Sequence, residues 1–162
     1  MSTSLPDPAA PGAAAPWYAP GLRFRCLGPE CGDCCSGKHG PGAVWVNPQE
    51  MQALASQLGI PFDAFTRRYV RAIRDRYSLT ERANHDCVFY DRERGCTVYA
   101  ARPSQCRTYP FWSRVMALRA SWESEAKACP GIGDPGGTVP AEEIRRALDE
   151  DGRRFPEGRP DP

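Results

Sequence analysis

The sequence predicts a small α+β domain in which short strands, a β-hairpin and several short helices surround an irregular segment. Four of the eight cysteines fall between residues 26 and 35, among glycine, proline and acidic residues that bury little apolar surface. Apolar residues recur at helical spacing in some segments and at strand spacing in others, but each such segment is short. Residues 91–95 have hairpin turn chemistry and lie between two segments that each begin with cysteine. Together these observations favour an irregular domain that is organised around its thiols.

The best-defined helix is expected to begin after Asn47. Asn47 can cap it, Pro48 suits the first helical position, and Glu50 completes a capping box. Gly59 is expected to end it. An apolar stripe at helical spacing lies between these signals, at Met51, Leu54, Ala55 and Leu58.

Shorter signals predict the remaining helices. Asp63 is expected to cap a second helix that carries Phe65 and Tyr69. Pro103 is expected to begin a helical turn that contains Cys106. Further helices are predicted over residues 121–128 and 140–150, the second of them amphipathic.

The predicted strands are equally short. Leu22 and Phe24 alternate with polar residues ahead of Cys26, and residues 43–46 and 77–79 also have strand character. Residues 87–90 and 96–99 are predicted to pair as a hairpin. Such a hairpin would bring Cys87 and Cys96 toward each other across the turn.

Length and composition predict one folded domain over residues 21–151. Residues 1–20, rich in proline and alanine, and residues 152–162 are expected to be disordered tails. The chain has 21 basic and 20 acidic residues, so neither a nucleic acid nor an anionic membrane is expected as its main partner. No apolar run approaches the roughly 18–20 residues that cross a bilayer. The first residues lack the features of a secretory signal, and a cytoplasmic location is therefore expected.

In a reducing compartment, eight cysteines are expected to be metal ligands rather than a disulfide framework. Thiolates are soft ligands that select zinc, iron–sulfur clusters or copper(I). The spacing Cys26-x4-Cys31-x2-Cys34 matches the plant-type run for a [2Fe–2S] cluster, whereas zinc sites usually present two close cysteine pairs. Spacing therefore favours iron–sulfur and leaves zinc open. The candidate ligands are Cys26, Cys31, Cys34, Cys35, Cys87, Cys96, Cys106 and Cys129.

The adjacent Cys34 and Cys35 raise a separate question. Successive side chains diverge in an extended segment, so both sulfurs are not expected to reach the same ion. Three alternatives remain at this point. The two thiols serve different centres, one of them stays unligated near the site, or they form a strained vicinal disulfide.

Two arginines flank one of the later cysteines and are candidate cofactor-contacting residues. Four thiolates on a divalent ion leave net negative charge, which Arg102 and Arg107 beside Cys106 would offset. The alternative is that both arginines lie on the surface. His85, near Cys87, is expected to be an exposed loop residue, and the aromatic residues Phe111, Trp112 and Trp122 are expected to form core or to shield the site.

The ordered set of motifs resembles a known family. Cys26…Cys31-x2-Cys34-Cys35, Cys87-Val-Phe…Cys96-Thr-Val-Tyr, Arg102-Pro-x-x-Cys106-Arg-x-Tyr-Pro-Phe111 and Cys129-Pro-Gly are similar to the CxxCxxCC cysteine-cluster family, the YkgJ-like zinc- or iron-chelating domains. The resemblance covers roughly residues 22–133 and implies a bacterial metal-binding domain. A flagellin lysine N-methylase contains a similar domain, which implies an iron–sulfur centre used near methyl transfer.

One departure from the family pattern concerns Cys26. The family's first gap is usually two residues, whereas four residues separate Cys26 from Cys31. Either the extra residues form a bulge at Gly28-Pro29, or Cys26 lies outside the shared site. If the plant-type spacing results from this insertion, it is weaker evidence for a [2Fe–2S] cluster.

Three functions follow from these observations. The leading one is an iron–sulfur protein, with [4Fe–4S] favoured, that has a redox or enzyme-assisting role and a protein or redox partner. The second is a structural zinc module that mediates protein–protein contacts. The third is an enzyme related to metal-assisted methyl transfer, with Cys34 or Cys35 as a reactive thiol. The sequence does not indicate an oligomeric state.

Overall fold

The computed structural model describes residues 14–28 and 31–154, in which short helices are interspersed with very short strands. The elements in chain order are β1 (Leu22–Arg23), α1 (Pro48–Leu58), α2 (Phe62–Tyr69), β2 (Val70–Ile73), β3 (Arg76–Leu79), β4 (Tyr90–Asp91), β5 (Gly95–Cys96), α3 (Ser104–Thr108), α4 (Ser113–Met116), α5 (Arg119–Glu125), β6 (Thr138–Val139) and α6 (Ala141–Arg154). The strands pair antiparallel as β1–β6, β2–β3 and β4–β5. The predicted α+β class is confirmed. Among the helices of the described residues, none is long and apolar enough to cross a membrane.

The chain divides into two compact units, where its length led us to expect one domain. The central unit is Leu27–Arg107, and the terminal unit combines Met1–Cys26 with Thr108–Pro162. Six cysteines belong to the central unit, while Cys26 and Cys129 belong to the terminal unit. Residues 1–13 and 155–162 of the predicted tails, and residues 29–30 of the gap after Cys26, lie outside the described residues.

Helix α1 forms as its local sequence predicts. The Asn47 side chain accepts a hydrogen bond from the Glu50 backbone N–H at 2.9 Å, and the Glu50 carboxylate accepts one from the Asn47 N–H at 3.0 Å. Gly59 ends the helix in the left-handed conformation, with φ 66°. The capping box and the terminating glycine are both confirmed.

The core of the central unit lies beneath α1 and α2. Phe65 of α2 is fully buried, and its ring stacks 6.2 Å from that of Phe89. Val46, Met51, Leu54, Ala55, Leu79 and Val98 complete this core. The unit therefore has a hydrophobic core of its own, formed mainly by residues other than cysteine.

The start of α2 differs from the prediction. The helix begins at Phe62 with Pro61 as its N-cap residue, so the expected cap at Asp63 is wrong. Asp63 lies in the first turn instead, where its carboxylate accepts a hydrogen bond from Arg67 at 2.8 Å. An acidic residue in the first turn stabilises a helix through the helix dipole without capping it.

The terminal unit has a second core. Strand β1 pairs with β6 as Leu22↔Val139, and α6 buries Ile144 completely. The rings of Phe111 and Trp122 stack 5.4 Å apart in this core, which confirms the core role expected of them. The other buried members are Tyr18, Leu22, Val115 and Met116.

Residues near both described ends of the terminal unit make specific contacts. Tyr18 is buried, and the Trp17 indole N–H donates to the Met116 carbonyl oxygen at 3.0 Å. Helix α6 continues to Arg154. Helix α5 spans Arg119–Glu125 rather than residues 121–128, so it ends further ahead of Cys129 than expected.

Candidate metal centre

The cysteine loop of the central unit is fixed by backbone contacts with the segment that precedes Cys87. The Cys87 N–H donates to the Cys35 carbonyl oxygen at 2.9 Å, and the Gly37 N–H donates to the Asp86 carboxylate at 2.7 Å. Asn84 donates a second hydrogen bond to the same carboxylate at 2.8 Å. These bonds lower the pKa of Asp86, the one from Gly37 most. The thiols of Cys35 and Cys87 are thereby brought to the same place.

Two glycines allow this close approach. A Cβ on Gly37 would lie 2.0 Å from the Asn84 carbonyl oxygen, so no larger residue fits without moving the backbone. Gly32 has φ +61°, and a Cβ there would lie 2.5 Å from the Tyr90 ring. Both positions lie in or next to the cysteine loop. The loop needs glycine at these positions because neighbouring atoms leave no space for a side chain.

The hairpin of β4 and β5 brings in Cys96. Its register pairs Tyr90 with Cys96, and the Tyr90 N–H donates to the Cys87 carbonyl oxygen at 2.9 Å. The Asp91 carboxylate closes the turn by accepting from the N–H groups of Glu93 and Arg94, both at 2.9 Å. The predicted hairpin is confirmed, although its paired segments are only two residues long each.

Helix α3 brings in Cys106 after Pro103, as predicted. The Cys106 N–H donates to the Pro103 carbonyl oxygen at 2.9 Å. The neighbouring Gln105 is buried, and its side chain bonds to the backbone of Ala43 and Trp45 at 2.9 and 2.8 Å. Residues 43–46 form an isolated bridge and backbone hydrogen bonds with β3 rather than the full strand predicted there.

Four of the gathered thiols form a complete set of electrostatic neighbours. Cys106 interacts with Cys34, Cys87 and Cys96, Cys87 interacts with Cys34 and Cys96, and Cys34 interacts with Cys96. Every pair within this set of four, Cys34, Cys87, Cys96 and Cys106, therefore lies within electrostatic reach. We call it the four-thiol set. Its members come from three separate stretches of the chain.

The pKa values of these thiols are shifted in opposite directions. Burial, with the charges of Cys96 and Cys34 acting the same way, raises the pKa of Cys87 to about 11. Burial also raises the pKa of Cys106. Hydrogen bonds with Cys35 lower the pKa of Cys34 and of Cys96, and they raise the pKa of Cys35 itself.

The adjacent Cys34 and Cys35 do not diverge as expected. Both residues lie in a turn rather than an extended segment, and their sulfurs are 3.9 Å apart. This distance is too long for a disulfide, whose sulfurs are bonded at about 2.05 Å. It is close to the separation of about 3.8 Å between two sulfurs on one tetrahedral zinc ion with bonds of about 2.3 Å. The expectation of divergence is therefore wrong, because it assumed extended backbone.

Arg102 lies where its charge acts on the thiols. It lowers the pKa of Cys34, Cys96 and Cys106. The guanidinium stacks 3.5 Å from the centre of the Tyr99 ring, and its Nε–H donates to the Tyr99 carbonyl oxygen at 3.1 Å. Arg107 is exposed and donates to the Arg102 carbonyl oxygen at 2.5 Å. Arg102 therefore acts electrostatically on three thiols, and the role predicted for Arg107 stays a prediction.

The remaining cysteines differ in their surroundings. Burial raises the pKa of Cys31, which interacts with Cys34 in the central unit. In the terminal unit, the Arg25 N–H donates to the Gly131 carbonyl oxygen at 3.1 Å, next to Cys26 and two residues after Cys129. Cys26 is exposed and Cys129 is half-buried. The structure thus places these two residues on neighbouring segments of their own unit.

The donor set fits zinc or iron in its chemistry, because thiolates are the ligands these metals take in structural sites and clusters. The backbone gathers the thiols, and the sulfurs of Cys34 and Cys35 lie near the separation of two ligands of one zinc ion. Among the described residues, no three His, Cys, Asp or Glu side chains are arranged to hold a metal ion as they stand.

Sequence reasoning missed the residues that support the thiols. Asp86, Gly37 and Gln105 hold the cysteine segments together, and each lies within two residues of a cysteine. Asp86 and Gln105 are polar residues directly before Cys87 and Cys106, and this position is the sequence signal that could have identified them. His85 is exposed, as expected.

Comparison with known proteins agrees with this donor set. A family model named CxxCxxCC, described as a "Putative zinc- or iron-chelating domain", matches residues 25–130, a range that includes all eight cysteines. The uncharacterized protein MJ0661 of the archaeon Methanocaldococcus jannaschii is 30% identical over 99 residues, which are 60% of this chain and 50% of that protein. The chain thus spans about half the length of this relative, whose origin shows that similar chains are not confined to bacteria. No solved structure matches the chain.

Proposed function

Because the chain belongs to the CxxCxxCC family of zinc- or iron-chelating domains, we propose that its central unit binds one metal centre through the four-thiol set. The observation that carries the proposal is the convergence of the segments that bear these thiols: the Cys87 N–H bonds to the Cys35 carbonyl oxygen beside Cys34, the hairpin brings in Cys96, and α3 brings in Cys106. Cys35 is a fifth thiol at this place, hydrogen-bonded to Cys34 and Cys96 and within electrostatic reach of Cys87.

We propose that the centre is an iron–sulfur cluster of the [4Fe–4S] type with a redox role. Such a cluster takes four cysteines, one for each iron, so the four-thiol set suffices and Cys35 stays unligated. Arg102 supplies positive charge beside the set, and Cys34 is exposed at its surface. Charge, hydrogen bonds to sulfur and solvent exposure are the factors that set the potential of a cluster. A redox role implies a protein partner that exchanges electrons with it.

The separate hydrophobic core supports a role beyond structure. Structural zinc modules depend on the metal to fold, because they bury little apolar surface of their own. Here Leu54, Ala55 and Phe65 are fully buried in a core that α1 and α2 build. The proposed metal centre lies beside this core, and the central unit has apolar packing that does not depend on the metal.

Zinc is the second candidate, and the Cys34–Cys35 pair favours it. Sulfurs 3.9 Å apart suit two ligands of one tetrahedral ion. In this case Cys35 belongs to the centre, and the protein presents a surface to other proteins. The third candidate, metal-assisted methyl transfer, is supported only by the family resemblance.

Metal and sulfide analysis of the anaerobically purified protein separates the two candidates. We expect a brown protein with iron and acid-labile sulfide in equal amounts. Cys35→Ser should keep the cluster, and its matched neighbour Cys34→Ser should lose it. A colourless protein that contains zinc and no sulfide would overturn the cluster proposal. Equal loss of zinc in both variants would then assign the pair to one zinc ion.

A further inference from the structure

We propose that Glu50, which lies outside the thiol motifs, is a positioning residue for Cys106. This inference rests on the proposed metal centre. One carboxylate oxygen of Glu50 accepts a hydrogen bond from the Asn47 N–H at 3.0 Å and so caps α1. The other accepts from the Ser104 N–H at 2.7 Å, across 54 residues of sequence. A single side chain therefore joins the start of α1 to the start of α3.

Helix α3 depends on such contacts because it cannot support itself. It has five residues, far fewer than an isolated helix needs in water. Both residues that precede Cys106 are buried, Ser104 at 7% and Gln105 at 5% exposure. Buried backbone donors require a partner, and the Glu50 carboxylate provides one for Ser104.

A second anchor acts on the next residue of α3. Gln105 accepts from the Trp45 N–H at 2.8 Å and donates to the Ala43 carbonyl oxygen at 2.9 Å. The backbone on either side of Trp45 is itself bonded to β3, through Val44 and Val46. Glu50 and Gln105 thus attach α3 to α1 and to the segment beside β3. The next residue, Cys106, receives its location from these two anchors.

The two roles of Glu50 can be separated because the capping box is reciprocal. Asn47→Ala removes the side-chain acceptor for the Glu50 N–H, weakens α1 and leaves Ser104 bonded to Glu50. Glu50→Ala removes the cap contact and the contact with α3 together. A purely structural role predicts that both variants affect metal binding alike. A positioning role predicts that only Glu50→Ala does.

The experiment uses the full reduced chain, freed of metal and loaded with Co²⁺, whose thiolate charge-transfer absorbance reports the number of bound thiolates. Affinity is measured by competition with a chelator. Glu50→Ala should lose about 10- to 100-fold in affinity, as is typical for residues that orient ligands. It should also lose absorbance per bound cobalt, as Cys106→Ser does. Asn47→Ala should keep the wild-type cobalt affinity and the wild-type absorbance per bound cobalt, although its folded state is less stable.

A double-mutant cycle and a second variant complete the test. In a Cys106→Ser background, Glu50→Ala should have no further effect on affinity. Gln105→Met, which removes the other anchor, should reproduce the loss of absorbance, and circular dichroism checks that each variant folds. Equal effects of Glu50→Ala and Asn47→Ala, or additivity with Cys106→Ser, would overturn the inference. A wild-type chain that binds neither cobalt, zinc nor an iron–sulfur cluster would overturn the proposed function itself.

Discussion

Replacing Gly37 with alanine tests whether backbone contact between the cysteine loop and residues 84–87 builds the site. The new Cβ would lie 2.0 Å from the Asn84 carbonyl oxygen and 2.6 Å from the His85 carbonyl carbon. An ordinary contact begins at 3.4 Å, so the two backbones must separate by about 1.4 Å or distort. Overpacking of this kind costs about 1–3 kcal/mol. The displacement would also break the hydrogen bond from Gly37 to Asp86, now 2.7 Å long.

The matched control is Gly42→Ala in the same segment. A Cβ on Gly42 meets nothing closer than the Glu81 carboxylate at 3.7 Å, so a change of no more than about 0.5 kcal/mol is expected. Chemical denaturation of the reduced, metal-free chain measures stability, and chelator competition measures metal affinity. Gly37→Ala should reduce both. If the two variants unfold at the same denaturant concentration and bind metal equally, the close approach does not build the site.

Three further predictions concern charge, protons and metal removal. Zinc affinity should rise by at least about 100-fold per pH unit between about pH 6 and 8, because binding displaces one proton each from Cys87 and Cys106, whose pKa values are raised, and a further one from Cys35 if it binds. Chelator competition across this range measures the slope, and a flat profile would show that these thiols do not bind. Arg102→Gln should weaken metal affinity and make the reduction potential of a cluster more negative, because a positive charge beside three thiols is lost. Arg67→Gln, on the exposed surface of α2, is its control, and equal potentials in the two variants would exclude the charge effect. Removal of metal by a chelator should leave the helical circular dichroism signal largely unchanged, since α1 and α2 pack in their own core. Loss of most of this signal would instead support a structural zinc module.

Elements whose signals are local were predicted well. The capping box of α1 lies within four residues, so the sequence identifies both partners of each hydrogen bond. The hairpin at residues 91–95 was located for the same reason, because the Asp91 carboxylate closes its own turn. Its strand length was overestimated, since pairing beyond Tyr90 and Cys96 depends on neighbours elsewhere in the chain. The cap at Asp63 was mistaken because the helix begins at Phe62, so Asp63 lies in the first turn and not at the N-cap position.

The relation between Cys34 and Cys35 shows where local reasoning failed. Divergence of adjacent side chains is a property of extended backbone, and the structure has a turn at this position. The turn is held by the Cys35 N–H, which donates to the Gly32 carbonyl oxygen at 3.0 Å. The turn also depends on Gly32, which has φ +61° and lies close to Tyr90. No sequence pattern indicates either property.

Residue types and near neighbours are enough to establish the chemistry of this protein: eight thiols as soft donors, Arg102 beside Cys106, the main helix and the family. Which thiols lie close together depends on contacts between distant segments. Cys87 reaches Cys35 through a backbone bond that Gly37 permits, and α3 reaches α1 through Glu50, across 54 residues. Such contacts are stabilised by the close packing of segments that are distant in sequence. The repeat pattern of apolar residues along the chain does not show which distant segments will pack together.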